Sequence, residues 1–136
     1  MNLFTVLLQD MEHQWQSEQV ESFIGRDPSG SFGLQARHEP LVACLVPGLA
    51  RLQLQEGKRL YLAQPGSVVL FRDNVLRLAT SQFILSEDRD QLITRMERAW
   101  QAAEQELRSA RTSYAQTEQA LTRKLWEMSR QGGEYV

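Results

Sequence analysis

The sequence predicts an α+β protein, in which an N-terminal antiparallel β-sandwich is followed by a C-terminal helical hairpin or by one long helix. All four prolines and six of the eight glycines precede Ser67, whereas the stretch from Ser67 to Gln131 contains neither residue. Because glycine and proline mark turns and interrupt helices, a turn-rich half precedes a half that can remain helical. We therefore expect a β-sandwich domain at residues 1–85 and an α-helical domain at residues 86–136.

Short alternating segments separated by turn residues predict the strands of the first half. Residues 50–55 alternate apolar and polar side chains, which is the pattern of a half-buried strand. Residues 56–58 (E-G-K) form a turn, and residues 59–62 resume the alternation, so the two segments predict a hairpin. The continuous apolar run at 68–71 predicts a strand that is buried on both faces. The remaining strand candidates are residues 3–8, 20–24, 41–46 and 75–78.

The sequence indicates structural roles for three glycines and for the single cysteine. Gly25, Gly30 and Gly33 lie in a turn-rich segment, where glycine allows tight backbone turns. Cys44 lies in an apolar run, so we expect its thiol to be buried and inert.

Composition and motifs argue against several functional classes. The net charge of −2 does not indicate a nucleic-acid-binding protein. No apolar run approaches the roughly 20 residues that span a bilayer, so we expect no transmembrane segment. The two histidines, His13 and His38, form no metal-binding motif with each other or with Cys44, and no phosphate-binding loop occurs. We therefore expect a non-catalytic protein without a metal or another cofactor.

One apolar stripe runs along the predicted helical half. Large apolar side chains recur every seven residues from position 93 to position 128. A second series of the same period, from position 96 to position 124, consists of methionine, two alanines, threonine and lysine. A large residue opposite a small one lets two helices approach closely. Burial of each large side chain would contribute roughly 1.5–3 kcal/mol, so the stripe requires a partner surface. The predicted packing stripe comprises Ile93, Met96, Trp100, Leu107, Tyr114, Leu121 and Met128.

Two geometries satisfy this stripe. A single helix over residues 86–130 would be roughly 68 Å long. A helical hairpin would turn near residues 108–113, where serine and threonine are the weakest helix formers. Residues 87–106 carry six acidic against three basic side chains, and residues 108–130 carry five basic against two acidic ones. This asymmetry suits either an antiparallel pair or one helix whose basic end meets an acidic partner.

Three segments of the first half resemble a known family. Residues 30–41 read G-S-F-G-L-Q-A-R-H-E-P-L, residues 45–48 read L-V-P-G, and residues 61–69 read Y-L-A-Q-P-G-S-V-V. They are similar to the epsilon subunits of F-type ATP synthases, in which G-x-x-G-[IL]-x-x-x-H-x-P-[LM] precedes a P-G turn and an alternating strand. A β-sandwich followed by a helical pair is also the layout of that family.

The sequence departs from the family at two places. Residues 35–37 read Q-A-R where the family has L-P-G, and the nucleotide-binding signature [IL]-D-x-x-R-A is not reproduced. The nearest stretch, residues 90–95, has the wrong spacing, so the resemblance does not extend to nucleotide binding. With these departures and the opening M-N-L-F, the sequence resembles more closely the alternate, sodium-translocating branch of the family, the N-type ATPases.

The resemblance implies a non-catalytic central-stalk subunit that couples the catalytic head to ion translocation by the membrane ring. Its sandwich would dock on the gamma subunit and on the c-subunit ring, at the cytoplasmic face of the bacterial inner membrane. His38 would take part in these contacts or would brace its own turn through a hydrogen bond. The candidate contact residues are Ser29, Gly30, Ser31 and His38.

The resemblance also implies a regulatory role for the C-terminal helices. In an extended state they would insert beside gamma into the alpha/beta head and block ATP hydrolysis, and in a folded state they would pack on the sandwich. The alternative is a stand-alone β-domain adaptor that dimerises through the coiled-coil-like stripe. The candidate contacts to the beta subunit are Arg108, Arg111, Arg123, Lys124 and Arg130.

Overall fold

A computed structural model describes residues 2–131, in which a nine-stranded sheet precedes one helix. A 3₁₀ turn at Gln55–Gly57 separates two of the strands, and helix α1 spans Arg89–Gln131. The strands are β1 (Phe4–Gln9), β2 (Gln14–Asp27), β3 (Gly30–Gln35), β4 (Leu41–Leu45), β5 (Gly48–Leu54), β6 (Arg59–Gln64), β7 (Ser67–Arg72), β8 (Val75–Thr80) and β9 (Ile84–Ser86).

Strand β2 joins the two halves of the sheet. The strand order is β4-β7-β8-β1-β2-β5-β6-β9, and β3 pairs with β2. The first half of β2 pairs with β1, and its second half pairs with both β3 and β5. The pairings are antiparallel except that β1 and β8 run parallel. The predicted α+β class with an N-terminal sandwich is thus confirmed, with one parallel pair inside it.

The core consists of the inward side chains from both halves of the sheet. Along β1, Phe4, Val6 and Leu8 are buried and alternate with more exposed neighbours, as expected when only one face of a strand meets the core. The ring of Phe4 packs edge-on against Phe71 of β7, with 5.6 Å between the ring centroids. The other buried members of this core are Val20, Phe23, Leu34, Leu45, Ala50, Leu52, Leu60, Leu62, Val69, Leu76 and Leu78.

Strand β7 differs from its prediction. Its continuous apolar run predicts burial on both faces, but burial alternates along it, because an antiparallel sheet can leave one face to solvent. Val69 and Phe71 point into the core, whereas Val68 is 51% exposed and Leu70 is 36% exposed. The outer side of this strand is therefore an apolar surface.

Helix α1 continues without interruption through residues 108–113, so the single-helix alternative describes this structure and the hairpin does not. Serine and threonine cost a helix only a few tenths of a kcal/mol each, which is too little to end it. Ser86 is the last residue of β9, so the helix begins at Arg89 and not at residue 86 as predicted. Asp88 caps α1, because its Oδ1 accepts hydrogen bonds from the backbone N–H groups of Asp90 and Gln91 at 3.0 and 3.1 Å.

The chain divides between Met96 and Glu97 into two compact units. The first unit contains the sheet and the first turns of α1, including Leu92, whose side chain is fully buried. The second unit contains the rest of α1. The domain boundary at residues 85–86 remains a prediction.

The glycines at 25 and 33 lie inside strands, not in turns as predicted. Gly30 alone of the three has a positive φ, +129°, at the β2–β3 turn. A Cβ atom on Gly25 would lie 2.9 Å from Cε1 of Phe23 and 3.0 Å from Cδ2 of Leu45. Both neighbours are core side chains, so Gly25 provides space for packing between the two halves of the sheet.

Asp10 connects the β1–β2 turn to the segment before β9. Its Oδ1 accepts hydrogen bonds from the N–H groups of Glu12 and His13, and its Oδ2 accepts one from the N–H of Phe83 at 3.2 Å. Desolvation acts to raise the pKa of Asp10, but these hydrogen bonds and the nearby His13 outweigh it, so the pKa lies below its usual value. The charged carboxylate therefore stabilises the folded chain.

The first prediction concerns the packing of Gly25. We expect Gly25→Ala to lower the free energy of unfolding by about 1–3 kcal/mol, because the new methyl group overpacks the core. Gly33→Ala is the matched control, since its Cβ would meet only the Phe23 carbonyl oxygen at 3.8 Å. Urea unfolding of both variants measures the difference, and equal stabilities would contradict the assignment of Gly25 to core packing.

The second prediction concerns acid stability. Because the pKa of Asp10 is lower in the folded state, its contribution is complete above the unfolded pKa of about 3.9 and is lost as the pH falls through the folded value. We expect Asp10→Asn to be less stable than the parent near pH 7 and to lose less stability on acidification. The free energy of unfolding is measured as a function of pH, and Glu18→Gln, at an exposed position, is the control. Parallel curves for the parent and Asp10→Asn would refute the contribution of the Asp10 carboxylate to stability.

Candidate partner-binding surfaces

The β2–β3 hairpin carries three of the predicted contact residues at its tip. Asp27 pairs with Gly30 and Arg26 pairs with Ser31, so the loop between the strands has two residues. The hydroxyl and the N–H of Ser29 donate hydrogen bonds to Oδ1 of Asp27 at 2.5 and 2.8 Å. The hydrogen bond from the Ser29 hydroxyl lowers the pKa of Asp27 most, and the bond from the Ser29 N–H is the next largest cause. Together they outweigh desolvation, which acts to raise this pKa. The tip is an exposed, internally braced polar turn.

His38 lies at the opposite end of β3 from this hairpin tip. Strand β3 spans Gly30–Gln35, which separates the two ends by roughly 17 Å at about 3.3 Å per residue. Nδ1 of His38 lies 2.8 Å from the Glu39 carbonyl oxygen, and its ring packs edge-on against Phe71, with 6.0 Å between the centroids. The structure therefore does not bring His38 together with Ser29 and Ser31 in one loop.

An apolar surface on the outer side of β4, β7 and β8 was not predicted as a site. Val42 pairs with Leu70, and Cys44 pairs with Val68, so these four side chains form two adjacent cross-strand pairs. All four are exposed, Val42 by 68%. Cys44 was predicted to be buried, but it faces outward because alternate residues of β4 point away from the core. We call these four residues, together with Ala79, the apolar face.

The apolar face borders a shallow groove. Val68 pairs with Ala79 of β8, and Leu70 pairs with Arg77, which in turn pairs with Leu7 of β1. The groove has a volume of about 260 Å³ and is lined by Leu7, Val68, Leu70, Arg77 and Ala79 among others. The sequence signal was the pair of apolar runs at 41–46 and 68–71, since half of each run must point outward in an antiparallel sheet.

The predicted packing stripe is exposed over most of the helix. Ile93, Met96 and Trp100 are half-buried, and the positions further along are open to solvent. Leu125 and Trp126, which are not members of the predicted stripe, are also exposed. Leu125 lies one turn beyond Leu121 and widens the stripe. The exposed fractions are 51% for Leu107, 71% for Tyr114, 58% for Leu121, 57% for Leu125, 65% for Trp126 and 62% for Met128.

The predicted basic contacts lie on the same part of the helix and are exposed. Arg108 donates a hydrogen bond to Oε1 of Glu104 one turn earlier, at 3.2 Å, so its charge is partly compensated. Within residues 2–130, no carboxylate lies at ion-pair distance from the other four. These are Arg111, Arg123, Lys124 and Arg130.

The part of the chain that the structure describes contains no group of three or more side chains able to hold a metal ion. Among the same residues, no helix is long and apolar enough to cross a membrane. The functional candidates described above are three surfaces: the hairpin tip, the apolar face and the helical stripe with its basic residues.

Comparison of the sequence with curated proteins identifies relatives of this chain. Two curated relatives, the ATP synthase epsilon chains of two strains of Leptospira interrogans, are each 36% identical over 73 residues, which is 53% of this chain and 56% of theirs. The chain thus spans about half the length of the curated relatives it matches.

Two solved structures share the fold. One is the Euglena gracilis mitochondrial ATP synthase, OSCP/F1/c-ring, with a TM-score of 0.56 and 23% identity, covering 69% of this chain and 61% of that chain. The other is the central stalk/c-ring of the Tetrahymena thermophila mitochondrial ATP synthase, with a TM-score of 0.52 and 13% identity, covering 59% and 64% of the two chains.

The family comparison covers the whole sheet. The sequence profile described as "ATP synthase, Delta/Epsilon chain, beta-sandwich domain" matches residues 4–86, from the first residue of β1 to the last residue of β9. Because this match covers more than half of the chain, the protein belongs to the family of ATP synthase delta/epsilon chains.

Proposed function

We propose that the protein is the non-catalytic epsilon subunit of the central stalk in an F-type rotary ATP synthase. In this role it couples the catalytic alpha/beta head to ion translocation by the membrane ring. The complex would place it peripherally on the cytoplasmic face of the bacterial inner membrane. Family membership over residues 4–86 supports the assignment, and the apolar face is the observation that carries it.

The apolar face is the proposed docking surface for the gamma subunit. Its paired side chains are apolar, adjacent and exposed, whereas the other outward positions of a half-solvated sheet are normally polar. Contiguous exposed apolar surface of this kind marks an interaction site. Arg77, beside Leu70, adds one charge at the edge of the groove. A stalk subunit must remain attached during rotation, and an apolar interface provides this attachment.

The hairpin tip is the proposed contact to the c-subunit ring. Ser29 and Ser31 present exposed hydroxyl groups, and the bonds of Ser29 to Asp27 hold the turn in one conformation. A preorganised polar turn loses little conformational entropy on binding, which favours a stable contact with the ring. His38, at the other end of β3, would contact gamma instead.

The third prediction tests the docking surface. We expect Val68→Asp to abolish co-purification with the gamma subunit, because it places a charge at the centre of the apolar face. Gln35→Asp is the matched control, since Gln35 is exposed on β3 and distant in strand order from β7. Retention of gamma by Val68→Asp, with both variants folded by circular dichroism, would contradict the docking surface.

The exposed helix is the proposed brake on ATP hydrolysis. An unbroken helix of 43 residues with an exposed apolar stripe matches the needs of a segment that inserts beside gamma. Its distal half adds Arg111, Arg123, Lys124 and Arg130, which have no carboxylate at ion-pair distance within residues 2–130. The stripe would pack on gamma, and Arg123 and Lys124 would contact an acidic segment of the beta subunit. Neither contact requires catalytic groups in this chain.

The fourth prediction tests this brake. Truncation after Met96 removes the second unit while retaining Leu92, which a truncation after Leu85 would remove from the first unit's core. We expect the reassembled catalytic head to hydrolyse ATP several-fold faster with the truncated subunit than with the full chain. Charge reversal in the full chain, by Arg123→Glu with Lys124→Glu, should also raise the rate if the basic end contacts the beta subunit.

Two outcomes of this experiment would contradict the brake. An unchanged rate with both variants would exclude inhibition, and failure of the truncated chain to assemble would give the helix a structural role. Analytical ultracentrifugation of the isolated full chain tests the adaptor alternative. A stable homodimer that is lost on Trp100→Asp with Leu107→Asp would favour that alternative over the stalk subunit.

A further inference from the structure

A pocket on the outer side of β2, β5 and β6 is lined by three arginines. Its volume is about 400 Å³, and it lies entirely within the first unit. Arg51 of β5 pairs with Ile24 of β2 on one side and with Tyr61 of β6 on the other. Arg26 lies two residues beyond Ile24 and so shares its face of the sheet. Arg89, the first residue of α1, completes the set.

The pocket has an uncompensated positive charge. Among the described residues, no aspartate or glutamate lines it. Within residues 2–130, neither Arg26 nor Arg51 has a carboxylate at ion-pair distance. Arg89 lies 4.0 Å from Asp90, but both side chains are more than half exposed, so this pair contributes little. Three cationic side chains that line one pocket without a lining carboxylate favour the binding of an anion there.

The surroundings of the arginines suit a bound ligand more than open solvent. Arg51 is only half-exposed and is flanked by apolar lining from Ile24 and Leu49, where a charge pair is stronger than in bulk water. The hydroxyl groups of Tyr61 and Ser31 add donors that do not carry charge. The volume lies within the range of small-molecule sites, and convergent polar groups on an apolar wall are typical of them.

We propose that this pocket binds a multivalent phosphate group, either as a small soluble anion or as the headgroup of an anionic phospholipid. The planar guanidinium fork matches the oxygens of a phosphate in bidentate geometry. Three cationic side chains balance a charge of two or more, which a single carboxylate does not carry. The site uses neither the apolar face nor the helical stripe, and it shares only Ser31 with the hairpin tip proposed to contact the ring.

The experiment uses the full chain and two probes. Isothermal titration calorimetry with sodium pyrophosphate at low ionic strength tests the soluble anion. Co-sedimentation with phosphatidylcholine vesicles, with and without phosphatidic acid, tests the headgroup. We expect one site for the probe that binds, with an affinity that falls as sodium chloride is added.

Substitutions locate the binding. We expect Arg51→Gln to weaken binding at least about tenfold, because it removes charge-assisted hydrogen bonds to the phosphate. Arg26→Gln should act in the same direction. Arg72→Gln is the matched control, since Arg72 is an exposed arginine on β7 that does not line the pocket, and we expect less than about a twofold change for it.

The outcomes separate cleanly. Pyrophosphate binding that Arg51→Gln abolishes supports a soluble anion, and binding to phosphatidic acid vesicles alone, lost in the same variant, supports a lipid headgroup. If Arg51→Gln does not fold, Arg51→Lys keeps the charge but loses the fork, and we expect a several-fold loss of affinity from it. Absence of binding to both probes, or equal losses in Arg51→Gln and Arg72→Gln, would overturn the site.

Discussion

The pairing of β2 with three other strands is the constraint on which the rest of the sandwich depends. One half of this strand pairs with β1, and the other half pairs with β3 and β5, so the two halves of the sheet meet along a single strand. Val20 and Phe23, both fully buried, contribute to the core from this junction. Gly25 follows with no side chain, which leaves space for Phe23 and Leu45 to pack. The apolar face and the arginine pocket occupy outer surfaces of this one framework.

The sequence predicted those parts of the fold that depend on local pattern. Alternation predicted β5 and β6, and the turn residues at 56–58 predicted the hairpin that joins them. The absence of glycine and proline predicted a half that can remain helical but left a hairpin and a single helix open, and α1 is the single helix. Local patterns could not show that β3 forms or that β1 runs parallel to β8, because both depend on which distant segments pair.

The candidate surfaces were predicted less completely, for a related reason. The helical stripe follows from a period of seven, so most of its members were found from the sequence. The outward position of Val42, Cys44, Val68 and Leu70 depends on which face of an antiparallel sheet meets the core, which no single segment determines. The arginine pocket combines residues from β2, β5 and α1 that are far apart in sequence. Only the register of the strands brings Arg51 between Ile24 and Tyr61.

The uninterrupted helix limits the insertions and deletions that α1 can accept without displacing its apolar stripe. The cap at Asp88 and the buried Leu92 fix the rotational starting point of α1 within the first unit. Each helical residue turns the chain by about 100°, so an insertion or deletion of seven residues nearly preserves the face on which the stripe lies. A change of two residues would instead turn every later stripe position to another side. Insertions or deletions beyond Met96 that keep the stripe on one face of α1 should therefore be about seven residues long.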